Sequence, residues 1–423
     1  MPLEATTSRS NASLPPALRA FALVALALTL LCLGTEFVCA HFLHLNFIPY
    51  DGLTFAPQYK YWDAIAFNTR FHHFHQPDFF SPAWGDSFLY PAPNAFFYRF
   101  FTLLPHSTAC FLATIVLLCA LCALWLERAL ERRGLARPQA SLFAAIAFLT
   151  SYPAYFVYNR GNVEIFIWLL CAAGIFAFLR DRPWLAATLI ACAAACKGYP
   201  FIYLGLLFAR KQYLQTAYSV VLGMAINFFS LWAIAGNFTI GKNGVAAGVE
   251  QFRQIYILHS RFGEIGLDHS FFGQIKRLWP NLPPPDQLAH ALTIYLATAA
   301  VAGCVLYFLR AWRLPVTNQI IFLSVAAITL PPTSYDYTLL HLYTGWVLLV
   351  FLAVSAWRNG HPLPSGFAPA MVCYVLLLAP LSEFILHGER LEGLLKCIVL
   401  VTLAFISLRF PLPLEPAPVA AEV

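Results

Sequence analysis

A lysine inside an apolar stretch is the residue whose chemistry most needs a reason, and Lys197 is one. It stands in Lys197-Gly198-Tyr199-Pro200, between the apolar runs Trp184–Cys196 and Phe201–Ala209. Each run is too short to cross a bilayer, which takes about 20 helical residues. Together they read as a hairpin whose tip stops inside the membrane, with Gly198 and Pro200 breaking the helix there. An ammonium group at that depth is costly, and normally faces a water-filled cavity or an ionic partner. The recessed tip is therefore the expected active site. Arg160 and Glu164, in Asn159-Arg160-Gly161-Asn162-Val163-Glu164, fall at the same end of the apolar runs as Lys197. Asn162 and Glu164 open the next run, where a helix N-terminus offers free N–H groups to an anion. Ordinary helix capping is the competing reading.

Further candidates lie outside the hairpin. Asp51 follows the first apolar run by about a dozen residues, and Asp63 lies in an aromatic stretch that suits an interfacial helix. Either carboxylate suits proton removal, and either suits a solvated loop. Tyr337 and His341 are one turn apart if helical and reach toward the same cavity; an aromatic belt at the membrane surface is the alternative. His72, His73, His75 and Asp78 resemble a metal cluster. Aromatic residues are interleaved among them and no second ligand cluster follows, so an interfacial aromatic segment is the better reading. No cofactor is expected, and a divalent cation is the lesser alternative. Cys119 and Cys122 form a C-x-x-C pair in the middle of an apolar run, where small packing residues are expected.

The elements that must position these residues are membrane spans. The chain has 423 residues, of which 60% are hydrophobic and only 11% charged. Its mean hydropathy is +0.67. A soluble domain carries about 25% charged residues, so an all-α, polytopic membrane protein is expected. The net charge of +6 implies no nucleic-acid partner, because the basic residues sit in short loops and set topology. Arg128, Arg132, Arg133 and Arg137 are the strongest such signal, joined by Arg180, Arg182, Arg210, Lys211, Arg310, Arg313, Arg358 and Arg409. With these on the cytoplasmic side, about twelve crossing or half-crossing helices follow, with both termini cytoplasmic. Residues 1–19 and the proline-rich 410–423 read as disordered tails flanking one transmembrane domain, 20–409. Two long outer segments, 41–105 and 237–287, hold most of the remaining acids, so the working face is extracytoplasmic. The second outer segment has its apolar residues at helical spacing. No internal repeat is visible, whereas transporters built on inverted repeats show paired interrupted helices.

Three stretches together resemble the bacterial glycosyltransferase family 87, polyprenol-phosphate-sugar-dependent enzymes of the GT-C fold. The first is Tyr61-Trp62-Asp63-Ala64 followed by Leu89-Tyr90-Pro91-Ala92-Pro93. The second is Asn159-Arg160-Gly161-Asn162 with Lys197-Gly198-Tyr199-Pro200. The third is Ser334-Tyr335-Asp336-Tyr337 with His341. The family usually has an acidic residue about four positions before the aromatic of the first stretch. Pro57 or Gln58 falls there instead, so the base is Asp51, Asp63 or neither.

The resemblance implies a GT-C-like bundle in a bacterial inner membrane. It implies a hexosyltransferase that moves a hexose or pentose from a polyprenyl phosphate carrier to an extracytoplasmic glycolipid or polysaccharide acceptor, inverting if one carboxylate suffices. Lys197 and Arg160 would then hold the donor phosphate, with Asn162, Glu164, Tyr337 and His341 around the substrates. A transporter or flippase of lipid-linked sugars would also need a basic cavity but no base. A polysaccharide polymerase would differ in using an oligosaccharide-lipid donor.

Overall fold

The computed structural model describes residues 14–43, 61–65, 68–84, 88–258, 262–279, 282–379, 385–386 and 389–414. The described chain is helical apart from a two-residue antiparallel pairing of Ile385–Leu386 with Glu389–Arg390. The long elements are α1 (Pro16–His41), α2 (Ser107–Glu131), α3 (Arg137–Leu149), α4 (Tyr152–Arg160), α5 (Glu164–Leu179) and α6 (Pro183–Cys196). After a 3-10 turn at Tyr199–Tyr203 come α7 (Leu204–Ala209), α8 (Tyr213–Ala235), α9 (Phe238–Phe252), α10 (Pro285–Leu309) and α11 (Val316–Thr329). A second 3-10 turn, Asp336–His341, leads into α12 (Leu342–Arg358), followed by α13 (Phe367–Leu378) and α14 (Glu392–Arg409).

Among the described residues, five helices are long and apolar enough to cross a membrane, or six if the bent α3–α4 pair is one span. Five more apolar helices are shorter. The described chain thus carries several apolar helices of the kind a multi-pass membrane protein has. The apolar stretch between Ala140 and Val157 is not a single helix: α3 and α4 meet at 52°. The cause is local. Pro153 occupies the first turn of α4, where its missing N–H is harmless and its fixed φ suits a helix start but not a helix interior. Pro183 likewise starts α6 after Asp181 has turned the chain.

Burial sorts the helices into a hub and a rim. α12 and the turn before it are 94% buried over their apolar window, against 17% for α2 and for α10. A helix that is apolar all round belongs at a core. Gly345 lets α12 approach its neighbours, since a Cβ there would stand 2.4 Å from the Tyr374 hydroxyl of α13 and 2.8 Å from Ile321 of α11. The outer faces of α2, α8 and α10 carry exposed Leu117, Leu121, Phe228, Phe229, Val301 and Val305, as a lipid-facing rim would. Residues 237–287, whose apolar residues recur at helical spacing, are helical where described: α9 runs into a π turn at Arg253–Leu258, and short helices follow at Phe262–Leu267 and Phe271–Arg277.

The bundle has two distinct ends. At one, the Arg358 guanidinium ending α12 donates to the Arg133 carbonyl after α2 at 2.9 Å, and Arg210 pairs with Asp181 at 2.6 Å. Arg310 donates to the Leu408 carbonyl of α14 at 3.0 Å. At the other end, the C-termini of α4 and α6 meet the N-termini of α5 and α12.

Candidate active site at one end of the bundle

Two of the sequence stretches interlock around a single glycine. Gly161 ends α4 with φ +64, the left-handed conformation that closes helices and suits glycine. A Cβ there would lie 2.8 Å from the Ala64 Cβ, so the Tyr61–Ala64 stretch rests directly on it. The Tyr61 N–H donates to the Asn159 carbonyl at 2.6 Å. Asp63, in the four-residue helix Trp62–Ile65, then meets the end of α4. Its Oδ2 accepts from Asn162 Nδ2 at 2.7 Å and its Oδ1 from the Arg160 guanidinium at 3.2 Å.

Asn162 joins this carboxylate to a second one. Its Oδ1 accepts from the Glu164 backbone N–H at 2.9 Å, satisfying one of the free donors that open α5. Capping and contact with Asp63 are therefore the same side chain's work. Glu164, on the first turn of α5, is paired with the Lys197 ammonium and accepts from the Tyr199 hydroxyl. His341 Nε2 lies 3.0 Å from the Glu164 carboxylate and 2.8 Å from the Tyr199 hydroxyl. His341 Nδ1 is 3.3 Å from the Tyr203 hydroxyl, which donates to Ser324 at 3.2 Å. Both imidazole nitrogens are thus engaged.

Lys197 is where α6 stops. Its backbone is extended, at φ −147 and ψ 134. Gly198 keeps helical angles and has open space around it. Pro200, in the first turn of the next helix, and the extended Lys197 make the break, rather than a glycine-only conformation. The carbonyl of Cys196 is capped by Asn94 Nδ2 at 2.5 Å, which brings the Leu89–Pro93 stretch against the hairpin tip. The Lys197 ammonium sits 4.6 Å from the Tyr337 ring centroid and 6.0 Å from that of Tyr90. The Tyr90 hydroxyl is 3.4 Å from Asn162 Nδ2. Burial, and then the charge of Asp63, push the Tyr90 phenol well above its ordinary value, so it stays a neutral hydroxyl.

Exposure divides the cluster. The Glu164 and His341 side chains are 0% and 1% exposed, whereas Lys197, Arg160 and Asp63 show 15%, 29% and 12%. The inner part is a closed support, and the rim carries two cations and a carboxylate. An ammonium has three donors and a guanidinium five. Each has one acidic partner here, so both keep N–H groups for a further anion. A carboxylate beside one such cation, with a second across the Tyr90 ring, suits proton removal coupled to binding of an anionic leaving group.

The structure brings together Asp63, Arg160, Asn162, Glu164, Lys197, Tyr337 and His341. Asp51 lies outside the described residues. The histidine-rich stretch diverges: His73 stacks on Trp84 at 3.7 Å and pairs with Asp78 at 3.0 Å, while His75 Nδ1 meets the Ala233 carbonyl at 2.9 Å. Among the described residues, no three His, Cys, Asp or Glu side chains converge as metal ligands do.

Sequence reasoning passes over a second buried polar cluster at this end. The Lys396 ammonium donates to Asp336 at 2.5 Å and also to Glu392. Ser334 donates its N–H to Asp268 at 2.9 Å, and its hydroxyl is 3.0 Å from His269 Nε2. Burial raises Asp268 to about 6, against the pull of Lys276, and lowers His269 to about 4, against the pull of Asp336. A lysine four residues after a glutamate, at the start of an apolar run, was the available signal for Lys396.

The model of glycosyltransferase family 87 matches residues 88–329, more than half of the chain. That range contains Tyr90, Arg160, Asn162, Glu164 and Lys197. It begins after Asp63 and ends before Tyr337 and His341. No curated protein and no solved structure matches the chain.

Proposed function

The chain belongs to glycosyltransferase family 87, and from that premise we propose that it transfers a hexose or pentose from a polyprenyl phosphate carrier to an extracytoplasmic glycolipid or polysaccharide acceptor. The observation that carries the reading is the rim itself: the Asp63 carboxylate stands beside Arg160, and Lys197 lies one tyrosine away. The donor's polyprenyl chain stays in lipid, its phosphate meets Lys197 and Arg160, and its sugar faces Asn162, Tyr90 and Tyr337. Asp63 takes the proton of the acceptor hydroxyl, a role Asp51 would fill in its place. The freed oxygen attacks the anomeric carbon, the bond from that carbon to the phosphate oxygen breaks, and its electron pair leaves on the phosphate. The two cations stabilise that charge in a site of low dielectric. One displacement inverts the anomeric centre. Glu164 and His341 hold Lys197 in place.

The same reading places one GT-C-like domain, 20–409, in a bacterial inner membrane. The arginine-rich end is cytoplasmic, as are both termini, and the Asp63–Lys197 end is outward. The cations supply the positive charge that a divalent ion would otherwise bring, so no metal is required.

The test is transfer by the purified protein in lipid nanodiscs, given a panel of radiolabelled polyprenyl phosphate sugars and a membrane-lipid extract. Label moving from one donor into a new glycolipid or glycan is the expected result. No transfer from any donor, with labelled carrier crossing proteoliposome bilayers, would make the protein a flippase instead.

A further inference from the structure

The second buried cluster contains one carboxylate more than its lysine needs. Lys396 meets Glu392, one helical turn before it on α14. Asp336 adds a second carboxylate to the same ammonium, and all three side chains are almost wholly buried. A buried carboxylate is costly to desolvate, so a second one at the same ammonium calls for a role beyond charge balance.

Its position supplies one. Asp336 opens the 3-10 turn Asp336–His341, and the next residue, Tyr337, lays its ring against the Lys197 ammonium. Lys396 also lies 4.9 Å from the Tyr152 ring. Tyr152, Phe156 and Arg160 follow one another at four-residue spacing along α4, and so share a face of it. Phe156 packs against Tyr337 at 6.2 Å, and Arg160 ends the row at Asp63. Lys396 thus touches both walls of the rim, the turn that carries Tyr337 and the helix face that carries Arg160.

We propose that Asp336 is a positioning residue: its ion pair with Lys396 fixes the turn that holds Tyr337 over Lys197, and so sets the cation that meets the donor phosphate. The inference rests on the phosphate role given to Lys197 above. The turn has other anchors on His269, whose Nδ1 also lies 3.8 Å from the Asp336 carboxylate. His269 N–H donates to the Ser334 carbonyl at 3.1 Å, and His269 Nε2 lies 3.2 Å from the Thr338 hydroxyl. Removing Asp336 therefore loosens the turn without unpinning it, and Lys396 keeps Glu392.

The experiment compares Asp336→Ala, Asp336→Asn and the parent in nanodiscs, varying donor and acceptor separately. The donor KM should rise about tenfold in Asp336→Ala while the acceptor KM stays within about twofold. Asp336→Asn, whose amide oxygen still accepts from Lys396, should fall between. Adding Asp336→Ala to Tyr337→Leu should cost less than the product of the two single losses, because both act through one contact. An unchanged donor KM, donor and acceptor KM rising together, or fully multiplicative losses would overturn the positioning role. If Asp336→Ala does not assemble, Asp336→Asn decides, and a donor KM equal to the parent's rejects the role. A parent that transfers from no donor removes the functional reading and this inference with it; a transferring parent with unaffected variants removes this inference alone.

Discussion

The two ends of the bundle treat charge in opposite ways. At the arginine-rich end the ion pairs are open: Arg210 and Asp181 are 38% and 84% exposed, and Arg137 is 80% exposed beside Glu127. Pairs of that kind contribute roughly 0–1 kcal/mol. Their value lies in which side of a membrane they favour. At the other end Glu164, Asp336, Glu392 and Lys396 are buried, Lys197 is mostly so, and each has an ionic partner. Breaking a buried pair costs about 3–5 kcal/mol, so each group there is tied to a fixed partner. A membrane protein that needs charge only for topology has no use for such pairs. Their concentration at one end is the structural argument for placing the chemistry there.

Substitutions that break this contrast should be ordered by it. The largest effect is expected for Asp63→Asn, which keeps the side chain's shape while removing the proposed base. Transfer should drop on the order of 10²–10⁴-fold, measured as initial rate in nanodiscs. Retained activity would move the base to Asp51. Arg160→Lys keeps the charge but loses the planar fork, and a fall of roughly tenfold is expected, mostly in donor affinity. Tyr203→Phe removes one hydroxyl from the support behind His341 and should cost about 1 kcal/mol of stability, read as a small loss in thermal midpoint with modest loss of rate. At the opposite end, Arg210→Ala should leave transfer within about twofold and stability within about 1 kcal/mol. An effect as large as that of Arg160→Lys would erase the distinction between the ends.

The Asp268–His269 pair sharpens it through pH. Between pH 3.8 and about 6, folded Asp268 holds a proton that the unfolded chain releases, so its contribution to stability falls as pH rises. Between about 4 and 6.5, folded His269 lacks a proton that the unfolded chain holds, so its contribution rises with pH. The two trends oppose each other in the parent. Asp268→Asn leaves the histidine trend alone, and the thermal midpoint should then climb with pH across about 4–6.5 more steeply than in the parent.

The sequence makes the membrane class, the lysine hairpin and most of the rim legible, because each leaves a local mark. Lys197 interrupts apolar runs, and Asn159–Glu164 puts polar residues where a helix must start. Partnerships are not local. Nothing near Lys197 says that Glu164, 33 residues earlier, neutralises it, or that Asn94 caps the helix behind it. The recessed cavity expected around a lone lysine is instead a filled network with an exposed rim. The break between α3 and α4 was legible in Pro153, but the apolar residues on both sides mask it. Asp336 and Lys396 are 60 residues apart, and only their burial reveals that they belong together.

The central claim is that the Lys197 ammonium, held by Glu164 and Tyr337, meets the donor phosphate. The most direct test is the transfer rate of Lys197→Ala, purified as a monodisperse protein and compared with the parent at equal concentration. Loss of a charge-assisted contact to a leaving group typically removes about 2–4 kcal/mol of transition-state stabilisation, so a fall on the order of a hundredfold or more is expected. Lys197→Arg should recover only part of it, because a wide guanidinium does not replace a compact ammonium at the end of α6. A well-folded Lys197→Ala protein whose rate stays within about threefold of the parent, less than roughly 1 kcal/mol, would contradict the claim.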